Sequence, residues 1–189
     1  MHSATEQTPP PADTTAPSAH TASRVPAWLA RLATIVATGF GSGLSPKAPG
    51  TVGTLWAWVV FALSAPHMGD GHWAMVMAVG IPLGVWVSSV AAVWLGHADP
   101  SAVVVDEILA FWLVLWLITP CSWQQQLAAF VLFRFFDAVK PGPVGWADRL
   151  FHQRSERPWL AWWQTGIGIM LDDFVAAGCT LFIMAWWRF

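Results

Sequence analysis

The chain has 189 residues, of which 56% are hydrophobic and only 11% charged, and a formal net charge of −2. Ordinary soluble domains carry about 25% charged residues, so this chain is too apolar to cover a water-facing surface; nor does it show the basic footprint of a nucleic-acid binder. Fifteen Trp and no Tyr suit a protein whose aromatic side chains sit where a membrane meets water.

Residues 1–26 are rich in Pro, Thr, Ala and Ser and nearly lack large apolar side chains. Such a stretch buries too little surface to fold, and it lacks the apolar centre of a signal peptide, so a disordered tail is expected. Residues 27–189 are expected to form one all-α, multi-helix, membrane-embedded domain. Residues 27–38 have helical periodicity but are short for a span, which suits an interfacial or packed helix. Residues 39–54 contain five Gly and two Pro, and an ordered loop or broken helix is expected there. Free backbone N–H groups, the hydroxyls of Ser45 and Thr51, and the ammonium of Lys47 would suit an oxyanion. P-loop spacing is absent, and taken alone the stretch reads first as a polar linker between helices.

Residues 55–65 are apolar, 66–71 read as a polar turn, and 73–95 run without a charge for long enough to cross ~30 Å. A loop at 97–101 leads into an apolar run that Asp106 and Glu107 interrupt. Residues 123–136 turn back and end on Arg134, Asp137 and Lys140. The polar stretch 144–165 carries Asp148, Arg149, Arg154, Glu156 and Arg157, and the last run, 167–187, holds Asp172 and Asp173 near its start. Cys121 and Cys179 have no metal-ligand spacing and read as small buried hydrophobes.

An ionised carboxylate in an apolar medium costs on the order of 2.5–3.5 kcal/mol. The two acid pairs therefore call for a cation partner, a metal ion or water. If the runs at 52–65, 73–95, 106–120, 123–137 and 172–187 cross a bilayer in turn, every Lys and Arg but Arg188 falls on one side. Every acid but Asp70 falls there too. The positive-inside rule makes that side cytoplasmic.

Neighbouring helical residues point about 100° apart, so an adjacent acid pair can serve one point only at a helix start, where the macrodipole also favours negative charge. Both pairs are expected at such starts. Asp137 lies three residues from Arg134 and three from Lys140, which are ion-pair spacings, and it reads equally well as their structural partner. An all-oxygen donor set without His or Cys suits a hard cation, Mg²⁺ foremost. Lys47, Lys140, Arg134 and Arg149 offer positive charge to phosphate oxygens. Metal-assisted phosphoryl transfer at the cytoplasmic membrane face follows. The competing class is a carboxylate-lined cation transporter, which expects acids at mid-membrane depth and no Lys or Arg at the mouth.

Four ordered motifs carry a family resemblance. They are the stretch from Gly41 to Thr51 (GSGLSPKAPGT); Asp99-Pro100-Ser101 leading to Val105-Asp106-Glu107; Phe133-Arg134-Phe135-Phe136-Asp137 with Lys140-Pro141; and Gly168-Ile169-Met170-Leu171-Asp172-Asp173. Together they resemble the phosphatidylglycerophosphatase A family over residues 30–185. The resemblance implies an all-helical, Mg²⁺-dependent phosphatase of the bacterial inner membrane. Its activity is removal of the terminal phosphate of phosphatidylglycerophosphate, giving phosphatidylglycerol. Carried over by position, Asp106, Glu107, Asp137, Asp172 and Asp173 are the metal or catalytic acids. Lys47 and Lys140 are implied phosphate contacts, beside Ser45, Thr51 and Arg134 from the reading of the residues.

Overall fold

The computed structural model describes residues 25–96, 100–152 and 161–188, with side chains omitted for 148–152, 161–165 and 188. The expectations for the tail over 1–24, for Asp99, and for the side chains of Asp148, Arg149, Arg154, Glu156 and Arg157 lie outside the described residues.

Seven α-helices, and no strand, occur among the described residues: α1 (Ala27–Ala37), α2 (Pro49–Ser64), α3 (Asp70–Leu95), α4 (Val105–Ile118), α5 (Trp123–Val139), α6 (Pro143–His152) and α7 (Ala161–Arg188). The all-α expectation holds. Local chemistry sets several ends. α5 opens on a capping box, in which Ser122 Oγ accepts from the Gln125 N–H while Gln125 Oε1 accepts from the Ser122 N–H, satisfying two donors that the helix itself cannot. α2 opens on Pro49, whose missing N–H is no loss at a first helical position.

Two expectations are corrected. Within 39–54, expected as an ordered loop or a broken helix, residues 49–54 are regular helix, because α2 begins at Pro49. Its glycines serve close packing: a Cβ at Gly53 would press into Val104 at 2.8 Å. α7 also starts earlier than its apolar run, so Asp172 and Asp173 lie inside the helix, about 16 Å from its first residue at ~1.5 Å per residue. Of the five expected crossings, two helices have the length and composition for one, Asp70–Leu95 and Gly166–Trp187. The others are shorter than the ~20 residues a span needs.

The packing centres on α4 and α7, the helices that carry both acid pairs. α7 packs on α3, α4, α5 and α6; α4 packs on α2, α3, α5 and α7. α4 is buried nearly all round, as expected of a helix that is apolar on every face. It divides the interior into two clusters. Phe111 stacks on Phe133 of α5 on one side. Leu109 meets Met77, Val85 and Met170 on the other, where Ala30, Ala33 and Ala37 seat α1. The opposite face of α1 leaves Trp28, Leu32 and Ile35 exposed. α3 and α7 approach closely at small residues: Gly84 lies under Met170, and a Cβ on Gly166 would collide with the Val85 carbonyl and the Ser89 hydroxyl. Cys121 and Cys179 are free thiols packed at the edge of the first cluster.

Candidate active site

The backbone just before α4 is anchored to α1, since the Val104 N–H donates to the Ala37 carbonyl at 2.9 Å. That bond sets where α4 begins, and Asp106 and Glu107 fall in its first turn as expected. There Asp106 Oδ1 accepts from the Glu107 N–H at 3.0 Å, one of the amides a helix start leaves unpaired.

Glu107 reaches the opposite way, into the seam between α2 and α5. Its Oε2 accepts from Arg134 Nη1 at 2.8 Å and from Thr54 Oγ1 at 3.0 Å. The same Nη1 donates to Asp137 Oδ2 at 2.6 Å. The Arg134–Asp137 pair is the one expected from their spacing, and Glu107 joins it from another helix. Lys140 reaches a further acid. It ends α5 in the left-handed region (φ 46°), an unusual backbone for Lys that turns its side chain across to α7. Its Nζ meets Asp172 Oδ2 at 2.6 Å.

Asp173 forms the floor of the site at 3% exposure. The charges that act on it are those of Asp106, Asp137, Glu107 and Asp172, all carboxylates. Because α7 is enclosed by four helices, adjacent residues 100° apart can both be buried. Asp172 turns to Lys140, and Asp173 is buried within range of the other acids' charges. All five predicted acids thus converge from α4, α5 and α7. Exposure grades outward from this floor, through the 14% and 13% exposed side chains of Glu107 and Asp137, to Lys140 at 32%.

The glycine-rich stretch borders the same place. Gly50, in the first turn of α2, packs so closely on the Glu107 carboxylate that a Cβ there would strike it. Ser45 Oγ donates to the Lys47 carbonyl at 2.8 Å, which folds the turn leading into α2. Lys47 is exposed and Thr51 half-buried, and neither forms an ion pair or side-chain hydrogen bond among the described residues. Gly50 and Thr54 escape a reading from sequence that treats 49–54 as loop. Their i, i+4 relation, which puts both on one face of a helix, was the available signal. We expect Gly50→Ala to displace Glu107 and lower turnover about tenfold or more, with little change in expression, as measured by steady-state phosphate release.

Does this donor set fit a divalent cation? Five buried or half-buried carboxylates face two described cations, Arg134 and Lys140, and all the donors are oxygens, which suits a hard ion. Among the described residues no three acidic, His or Cys side chains stand ready as a metal cage. The donor chemistry alone suits Mg²⁺, a hard ion that keeps several waters.

A sequence model of the family described as phosphatidylglycerophosphatase A matches residues 35–188. The chain belongs to the phosphatidylglycerophosphatase A family. It is accordingly an enzyme, a phosphatase. A phosphatidylglycerophosphatase A of Escherichia coli (strain K12) is 36% identical over 157 residues, covering 81% of this chain and 84% of that protein. One from Haemophilus influenzae is 36% identical over 143 residues, covering 76% and 80%. A Bacteroides thetaiotaomicron protein, named provisionally as a phosphatidylinositol-3-phosphatase, is 36% identical over 160 residues, covering 81% and 91%. No solved structure matches the chain. The family match spans every helix from α2 to α7 and all five acids of the site.

Proposed function

We propose that this protein hydrolyses the terminal phosphomonoester of phosphatidylglycerophosphate, releasing inorganic phosphate and leaving phosphatidylglycerol. The observation that carries this reading is the convergence of five acids from three helices at one place, in a chain of this family. The substrate is the one named by the two bacterial relatives at 36% identity. We further propose that Mg²⁺ is the cofactor, with Asp106, Glu107, Asp137, Asp172 and Asp173 as the residues that would hold it. When bound, such an ion polarises a phosphate oxygen and lowers the pKa of a coordinated water.

The chain's own residues act as follows. Lys140, at the exposed rim, is the described cation that an incoming phosphate meets first, and Lys47 stands exposed ahead of α2. Arg134 holds Glu107 and Asp137 in fixed relation through one nitrogen, so those two carboxylates are preorganised rather than free to turn. The first-turn N–H groups of α2 lack a side-chain cap and, with Ser45 and Thr51, offer further donors to phosphate oxygens. The nearly buried floor at Asp173 restricts bulk water to the rim.

The placement we propose is a bacterial inner membrane with the site on the cytoplasmic side. It is supported by two helices long and apolar enough to cross a bilayer and by the clustering of Lys and Arg toward the acid-bearing end. A transporter reading is disfavoured by Arg134 and Lys140, which sit among the acids that would have to pass a cation. The decisive experiment measures phosphate release from phosphatidylglycerophosphate in detergent micelles, with Mg²⁺ or with excess chelator. Release that requires Mg²⁺ is expected. Undiminished release in chelator would remove the metal from the mechanism, and no release from folded protein would remove the substrate.

A further inference from the structure

The Glu107 carboxylate has two oxygens in different surroundings. Oε2 is held by Arg134 Nη1 and Thr54 Oγ1, whereas Oε1 lies against the Gly50 backbone at the start of α2. Thr54 is fully buried, at 0% exposure. Its hydroxyl sits 2.9 Å from the Gly50 carbonyl and 3.0 Å from Glu107 Oε2. One hydroxyl proton must choose between these acceptors. The Gly50 carbonyl is a neutral acceptor at intrahelical i−4 spacing, while a carboxylate receives the stronger, charge-assisted bond. The proton therefore favours Glu107. The Thr54 oxygen then turns a lone pair toward Arg134 Nη1, which stands 3.5 Å away.

We propose that Thr54 is a positioning residue, which together with Arg134 fixes the rotation of the Glu107 carboxylate and so its orientation within the acid cluster. The inference rests on the phosphatase reading of the site above. Without the hydroxyl, Arg134 still holds Oε2 and Gly50 still bounds Oε1, but the carboxylate loses one of the two hydrogen bonds that fix its plane. The methyl of Thr54 contributes only packing, which Val supplies equally, so the hydroxyl is the part that matters. Partners of this kind, one contact removed from the metal, typically change affinity or turnover about 10–100-fold when lost.

The test compares wild type, Thr54→Val and Thr54→Ser as full-length protein in micelles. Steady-state phosphate release is measured alongside Mn²⁺ binding in the absence of substrate, followed by the loss of the free-ion EPR signal. For Thr54→Val the expected results are kcat lower by at least about tenfold, KM within about twofold, and weaker Mn²⁺ binding. The melting temperature should stay within a few degrees, and Thr54→Ser should recover most of both functional losses. Full kcat in Thr54→Val overturns the proposal. Equal loss in the Ser and Val variants with lowered melting temperatures also overturns it, because the role is then packing. If wild type releases no phosphate, the phosphatase reading fails separately and Mn²⁺ binding decides for Thr54. Weaker binding in Thr54→Val sustains it, and equal binding, tight or absent, overturns it.

Discussion

Asp173→Asn is expected to reduce phosphate release by at least about a hundredfold while leaving the protein as stable as wild type, or more so, in chelator. The reason is the sign of its surroundings. Asp173 is nearly inaccessible, and the charged groups that act on it are four other carboxylates. A neutral side chain of the same shape spares the fold from burying a negative charge beside four other acids. Gains of about 0.5–2 kcal/mol are usual when a site arranged for activity is relieved in this way, which corresponds to a rise of a few degrees for a chain of this length. Intrinsic fluorescence from the 15 Trp residues offers a melting signal. Melting with and without Mg²⁺ adds a second readout. Wild type should be stabilised by the ion through mass action, and the variant should gain much less. A variant that melts well below wild type in chelator would make Asp173 a structural residue.

Arg134→Met is expected to act in the opposite direction on stability. One nitrogen of Arg134 holds carboxylates from two helices, Glu107 at 2.8 Å and Asp137 at 2.6 Å. Removing it leaves two mostly buried acids without that cation. Breaking buried pairs from one side costs about 3–5 kcal/mol, so the melting temperature should fall by roughly 10 °C, with activity lost as well. The double variant Arg134→Met/Glu107→Gln should regain part of that loss, since one of the stranded charges is gone. Thermal melts of the two single variants and the double variant form the cycle that measures this. Equal stability of Arg134→Met and wild type would mean that solvent or another cation takes over, and the fork would then carry little energy. Two charged residues of one cluster are thus expected to shift stability with opposite sign.

Much of this was readable from the sequence, and for definite reasons. Acids inside apolar runs stand out because their burial is costly, and the i, i+3 pairing of Arg134 with Asp137 follows from helix geometry alone. The first-turn position of Asp106 and Glu107 was legible for the same reason. Other features depend on neighbours that composition cannot supply. The stretch from Pro49 to Thr54 looks like loop because glycine is a poor helix former in isolation; it is helix because Glu107 and Val104 occupy the space that side chains would need. A helix start is required for Asp172 and Asp173 only if a single face of α7 is buried. Four neighbouring helices pack on α7 and bury it on more than one side around these positions, so both acids fit mid-helix. The reach of Lys140 to Asp172 depends on a left-handed residue at the end of α5, which no propensity suggests for lysine.

The close approach of α3 and α7 bears on how such a molecule stays assembled. In the bilayer that the proposed function calls for, lipid tails solvate an apolar helix face about as well as a neighbouring helix does, so greasiness gives little cohesion. What remains is fit: backbones brought near enough to touch at Gly84 and Gly166, with Leu109 and Met170 filling the notches. Trimming an outward residue such as Leu63 or Phe182 only exchanges one hydrocarbon contact for another. A single added methyl at Gly166 pushes apart the two longest helices in the bundle. In that setting adhesion is a matter of shape rather than oiliness.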